Sequence, residues 1–274
     1  MIWSGKPINP CRLLFTRSQS LFDPFIPAFT QAGGTLYPLS TLEITPRDVQ
    51  AELNTCFEGH SSNTAYIFVS RHAIEYTGIS LKKATQFPQL TCICLGPGSK
   101  QALMQQGIPE DRIIMPLSPP YETERLLEHP FFTGTRLSPQ QHYCIFRGPP
   151  GRTLLQARLR ETGATVQEIM VYNRQLPKLT PALQTQWEMA LRQHNATLVS
   201  SAEGLSNLIT RVKAFKHPAF ITHLLNQPLL LPSRRIGILA KSLGFRYIIE
   251  TGSLETQSVL HALKSIFSSF HFFR

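Results

Sequence analysis

The sequence predicts an α/β chain of the doubly wound kind, with parallel sheets covered by helices on both faces. Three observations carry this. Short, continuous apolar runs rich in Ile, Val, Leu and Phe recur along the chain, as strands buried on both faces require. Most are followed by a helix-like stretch, and several of these end on glycine, the residue best suited to a left-handed cap. One strand–turn–helix–strand unit also occurs twice at a constant offset.

Taken in order, the apolar runs are 12–15, 65–69, 91–95, 112–115, 143–146, 196–199, 228–231 and 246–249. Helical patterns fall at 70–78, 99–107, 152–163, 202–211 and 235–244. Strand alternating with helix is the signature of the fold class. The proline-rich stretch 116–141 predicts one helix near 122–128 between irregular loops, and a second polar stretch with Pro177 and Pro181 follows Tyr172. A final helix is predicted over 253–267, with the aromatic end SSFHFFR packing back on its domain.

The repeated unit is clearest at 143–174, YCIFRGPPGRTLLQARLRETGATVQEIMVYNR, with a fainter copy at 11–39. Arg17 and Arg147 stand 130 positions apart, and so do Ser70 and Ser200. A third pair, 94–108 and 230–245, drifts by a few residues, as an insertion in a loop would cause. Repetition alone would cut the chain near Pro130.

With 274 residues the chain has room for two domains, and its 27 basic against 17 acidic residues give a net charge of +10. That balance suits an acidic partner. The basic residues are dispersed, which disfavours a nucleic-acid arm. Five cysteines with no Cys-x-x-Cys indicate neither a disulfide framework nor a zinc site, and fit a reducing cytoplasm. No signal-peptide pattern and no apolar run near the ~20 residues of a membrane span occurs. Neither a P-loop, a G-x-G-x-x-G, an H-E-x-x-H nor a nucleophile elbow is present, so neither a dinucleotide site nor a metal site is expected.

Ligands of open α/β sheets bind beyond the carboxyl ends of the strands. Here those ends carry Arg17, Ser70 with Arg71, Gly96 with Ser99, Arg147 with Gly148, Ser200 with Ser201, and Ser233 with Arg234. Arg152 follows in the turn after Gly148. They are small, hydroxylic or basic, and each precedes a helix whose free N–H groups favour an anion. The serines serve equally well as plain helix N-caps, and any one arginine as a solvated surface cation. By elimination, Tyr172 at the end of a strand over 166–171 is the candidate proton donor, its phenol being protonated near neutral pH. A Tyr with a packed ring and a wet hydroxyl is the plainer alternative.

These residues resemble the uroporphyrinogen-III synthase family. LLFTR with AGG, IFVSRHAI, LGPGS, the stretch RGPPGRTLLQARLRETGATVQEIMVYNR, LVSSAEGL and PSRRIGILAKSLGF follow the family order almost end to end. The resemblance implies two α/β domains, 1–37 with 174–274 and 40–171. Crossing strands at 36–39 and 171–174 would join them, with the active site in the cleft between. It implies closure of the linear tetrapyrrole hydroxymethylbilane, an octacarboxylate, to uroporphyrinogen III, with loss of water and inversion of the last ring. No cofactor is implied, and the chain is expected to work as a monomer. Tyr172 matches the family's candidate acid. Val69 and Ile236 replace frequent threonines, which puts hydroxyl contacts there in doubt, whereas Ser99 keeps one. Two other readings stand beside this one: a non-catalytic two-domain binder of a polyanionic small molecule, and, on net charge alone, a nucleic-acid binder.

Overall fold

Residues 8, 11–17, 25–87, 89–133, 139–149 and 153–269 are described by a computed structural model of the chain. Contacts divide the chain into two units, Met1–Glu43 with Gln175–Arg274, and Ile44–Arg174. The fold is α/β, with a five-stranded parallel sheet in each unit.

In the first unit the strands are β1 (Arg12–Phe15), β2 (Thr35–Pro38), β10 (Ala196–Leu198), β11 (Leu229–Leu231) and β12 (Ile248–Glu250), in the order β12-β11-β10-β1-β2. Successive side chains of a strand face opposite ways. Leu13 and Phe15 therefore pack on one face with Phe25 and Phe29 of α1 (Phe25–Gln31) and Leu260 and Leu263 of α12 (Thr256–Ser269). Leu14 points to the other, against Trp187 of α8 (Pro181–Gln193), Leu205 and Leu208 of α9 (Ala202–Ala214), Leu224 of α10 (Pro218–Leu225) and Ala240 of α11 (Arg234–Ser242).

The second unit holds β4 (Thr64–Phe68), β5 (Thr91–Cys94), β6 (Ile113–Ile114), β7 (His142–Arg147) and β8 (Thr165–Met170), in the order β6-β5-β4-β7-β8. Tyr66, Phe68 and Phe146 lie on one face with Phe57 of α2 (Gln50–Glu58), Ile74 of α3 (Arg71–Ala84) and Leu103 of α4 (Pro97–Gln105). Ala65, Ile67, Tyr143 and Ile145 lie on the other, against α5 (Thr123–Leu127), α6 (Pro130–Thr133) and α7 (Leu154–Glu161).

Both sheets have the same strand order once β10, β11, β12, β1 and β2 are matched to β4, β5, β6, β7 and β8. In each, the strand order reverses between two neighbours, β10 with β1 and β4 with β7. Such a switch point opens a crevice at the carboxyl ends. Arg17 and Ser200 follow the first pair of strands, and Arg147 and Ser70 end or follow the second. The residues related by the 130-position offset thus occupy matching places.

The structure differs from the sequence reading in several elements. Residues 36–39 were expected to cross between domains, yet 35–38 form β2, because Leu36 and Tyr37 are apolar enough to extend the sheet beside β1. The two-stranded ribbon is instead β3 (Glu43–Pro46) with β9 (Tyr172–Gln175). The polar stretch after Tyr172 becomes α8, because Thr180 caps Leu183 N at 3.3 Å and Pro181 takes the first helical position, where its missing N–H costs nothing. α3 runs through Gly78, where an end was expected, because Thr77, Ser80, Leu81 and Ala84 continue its buried face. Gly107, Gly163 and Gly244, with φ of 91°, 80° and 95°, do follow helices in the left-handed region. Residues 270–274 of the aromatic end lie outside the described residues. All five cysteines are buried and free. Among the described residues no helix is long and apolar enough to cross a membrane, and no group of three or more His, Cys, Asp or Glu is placed to hold a metal ion.

One buried group links this fold to pH. His194, just past α8, is 1% exposed. Its Nδ1 lies 2.9 Å from the Ala190 carbonyl, which accepts only, so Nδ1 carries the proton. Nε2 is buried without a hydrogen-bond partner. Burial, then the neighbouring His223 and Arg12 charges, lower its pKa to about 4, against the opposing hydrogen bonds to Ala190 and Leu191. A depressed folded-state pKa means that stability is complete above about 6.5 and is lost as pH falls towards 4, by roughly 3 kcal/mol over the window. The Tm of the wild-type chain should fall across this range, and His194→Leu should flatten that dependence. Parallel profiles for the two proteins would remove His194 as the cause.

Candidate active site

The carboxyl end of the second sheet gathers Ser70, Gly148 and Tyr172. Ser70 follows β4 and caps α3, its Oγ accepting from Ala73 N at 3.2 Å. The same Oγ lies 3.1 Å from the Tyr172 hydroxyl. Tyr172 begins β9 and is 4% exposed. Its ring meets His72 edge-on at 6.1 Å and Tyr76 at 6.2 Å, and Tyr76 donates to the Ile44 carbonyl of β3 at 3.1 Å. Gly148 is required by close approach: a Cβ there would stand 2.1 Å from Tyr172 Cε2. Tyr172 is therefore a packed ring whose hydroxyl is hydrogen-bonded to Ser70.

Arg147 does not present its charge to the strand ends. It is 6% exposed, and its Nη1 lies 3.0 Å from Glu168 Oε2 of β8. Alternation along β7 turns it, like Tyr143 and Ile145, towards α7. Its charge is held in an ion pair within the unit. Arg71 is exposed and bound to Glu75 at 2.8 Å, and the same carboxylate takes His72 at 3.1 Å. Ser99, expected at the ligand end or else as a plain N-cap, does not cap its helix. That place belongs to Gly96, since Pro97 begins the helix and Ser99 N bonds back to the Gly96 carbonyl at 3.0 Å. No acid lies in the first turn of α3 or of α4. Arg152 lies outside the described residues.

At the strand ends of the first unit, Ser201 caps α9 by accepting from Gly204 N at 3.0 Å, and Ser200 precedes it, partly exposed. Glu203 in the first turn of α9 makes this turn the least welcoming to an anion. Ser233 holds the N-cap position of α11 without a side-chain capping bond, next to the exposed Arg234 and with no acid in the turn. Arg17 is partly buried, which lowers its pKa. Its Nη1 donates to the Leu254 carbonyl at 3.1 Å, while its Nε is buried without a partner.

Sequence reasoning missed two supports of these ends. Glu168 accepts from Arg147, from Gln156 of α7 at 2.9 Å and from Arg160 of α7 at 2.9 Å. Burial acts to raise its pKa, but these hydrogen bonds and the Arg147 charge outweigh it and the pKa is lowered. An acid on a strand whose neighbours alternate apolar and polar was the available signal. In the first unit, buried Thr41 donates to the Gly204 carbonyl at 3.0 Å, its own carbonyl accepts from Asn207 Nδ2 at 2.8 Å, and Thr16 donates to Leu198 at 2.8 Å. No pattern in the sequence marks Thr41.

A family model described as Uroporphyrinogen-III synthase HemD matches residues 23–248. Two solved structures are similar in fold. A mutant uroporphyrinogen III synthase from the extremely thermophilic bacterium Thermus thermophilus has a TM-score of 0.58 at 17% identity, covering 94% of this chain and 99% of its own. Uroporphyrinogen-III synthetase from Helicobacter pylori has a TM-score of 0.52 at 16% identity, covering 93% and 99%. With the family model spanning most of the chain and the fold agreeing, this protein belongs to the uroporphyrinogen-III synthase family.

Proposed function

We propose that this chain acts as a uroporphyrinogen-III synthase, closing hydroxymethylbilane with loss of water and inversion of the last ring, and that Tyr172 is its proton donor. The observation that carries the assignment of the acid is the Ser70–Tyr172 hydrogen bond beside Gly148 at the switch point of the second sheet. Ser70 Oγ already accepts from Ala73 N. Either hydroxyl can donate in the Ser70–Tyr172 pair; in this reading Ser70 donates to the phenol oxygen, which leaves the phenol proton for the departing substrate hydroxyl. Loss of that hydroxyl as water creates an electrophilic methylene. The substituted carbon of the last pyrrole attacks it only if the chain is held folded, so most of the catalysis is orientation.

The substrate's eight carboxylates explain the cationic and hydroxylic strand ends. In this reading Arg17, Arg234, Ser200, Ser201 and Ser233 bind carboxylates on the first unit, and Ser70, Gly96, Ser99, Gly148 and Arg152 do so on the second with their adjoining helix N–H groups. Arg71 shares its charge with Glu75 and contributes less, whereas Arg147 supports the fold. The enzyme works as a monomer in the cytoplasm, where buried thiols stay reduced. In steady-state assays the Arg17→Ala/Arg234→Ala double variant should raise KM for hydroxymethylbilane about tenfold with kcat nearly unchanged, as loss of uniform binding does. An unchanged KM would remove both arginines from the substrate's path.

A further inference from the structure

We propose that Glu168 is a positioning residue for Tyr172, acting through Arg147 and the turn at Gly148; its catalytic consequence rests on the reading of Tyr172 as the acid. Among the described residues, Glu168 draws three donors onto one carboxylate: Arg147 Nη1 at 3.0 Å and Gln156 Nε2 at 2.9 Å on Oε2, and Arg160 Nη2 at 2.9 Å on Oε1. This fixes the guanidinium of Arg147, which is 6% exposed. Arg147 Nε in turn lies 3.3 Å from the Gly148 carbonyl, and the Arg147 carbonyl accepts from Val171 N at 2.9 Å. Val171 directly precedes Tyr172, and Gly148 is the residue on which the Tyr172 ring rests. Arg147, whose guanidinium Glu168 holds, thus bonds both to the residue that leads into Tyr172 and to the turn on which its ring rests.

Charge-assisted bonds are short and directional, so a carboxylate with three of them fixes a turn more closely than apolar packing does. Removing Glu168 takes away the counter-charge that Arg147 has among the described residues, which drives the guanidinium towards solvent. The Gly148 carbonyl then loses its donor, and the Tyr172 hydroxyl can drift from Ser70. Purely structural support would lower Tm while leaving the environment of Tyr172 alone, which gives the proposal its distinguishing readout.

The experiment uses the full chain labelled with 13Cζ-tyrosine, the Tyr172 resonance being identified by its loss in Tyr172→Phe. In Glu168→Ala the Tyr172 resonance should shift, and kcat should fall about tenfold with KM within twofold. Glu168→Gln keeps an acceptor oxygen and is the variant to use if the alanine form does not fold. It should give a smaller shift in the same direction and recover part of kcat. A Tyr172 resonance unmoved in the soluble variants would overturn the proposal, even if kcat fell. Were Tyr172→Phe to keep the full rate, the acid role would fall, yet the resonance shift alone would still decide the positioning.

Discussion

Gly148→Ala should nearly abolish activity and lower stability, although it adds a single methyl group. The added Cβ would stand 2.1, 2.5 and 2.6 Å from Cε2, Cζ and Cδ2 of Tyr172, well inside contact distance. The obstructing atoms belong to a rigid ring, 4% exposed, with His72 and Tyr76 beside it and Ser70 on its hydroxyl. The ring has to move, or the turn has to. Overpacking of this kind costs about 1–3 kcal/mol, and a displacement of about 1 Å at a reacting group costs roughly 100-fold in rate. Thermal melts and kcat would show both. In a Tyr172→Ala background, where the clash is gone, Gly148→Ala should cost far less stability than it does in the wild-type chain, so that the two changes are not additive, and activity should stay lost. A Gly148→Ala enzyme with wild-type kcat would contradict the packing of Tyr172 on this turn.

Tyr172→Phe isolates the proton. The phenylalanine ring keeps the contacts with Gly148, His72 and Tyr76 and loses one hydrogen bond to Ser70, so the stability loss should be about 1 kcal/mol. Loss of a positioned general acid typically costs about 100-fold or more. We expect kcat to drop by about two orders of magnitude, with KM changed little. Full kcat in a folded Tyr172→Phe protein would remove Tyr172 as the acid.

The sheets were legible because buried parallel strands announce themselves as unbroken apolar runs. RLLF, AYIFV, TCICL and YCIF all become central strands within a residue or two. The repeated offset between Arg17 and Arg147, and between Ser70 and Ser200, marked the switch points of two sheets of the same order. Elements without such runs were harder to read. α8 begins inside a proline-rich stretch, and its first turn differs from a loop only by the Thr180 cap.

Motif order placed Ser70, Gly148 and Tyr172 near the strand ends, and the structure brings these three together. The ion pair of Arg147 was not legible in the sequence, for a physical reason. Alternation along β7 gives Arg147 the same face as Tyr143 and Ile145, and only the folded unit puts the Glu168 carboxylate on that face. Side-chain direction at a strand terminus follows from register, which pairs Ile145 with Glu168 and Arg147 with Met170. Thr41 shows the same limit: its buried bonds to residues far along the chain exist only in the folded unit.

The isomer composition of the product tests the central claim most directly. Freshly prepared hydroxymethylbilane closes spontaneously to the uninverted isomer, so the chain has to outpace that reaction and redirect it. Incubation with catalytic amounts of the wild-type protein, oxidation to the porphyrins and chromatographic separation should give isomer III as the dominant product, in proportion to enzyme. With Tyr172→Phe the balance should move towards isomer I. Product that is entirely isomer I with the wild-type protein, at the rate of the protein-free control, would contradict the account.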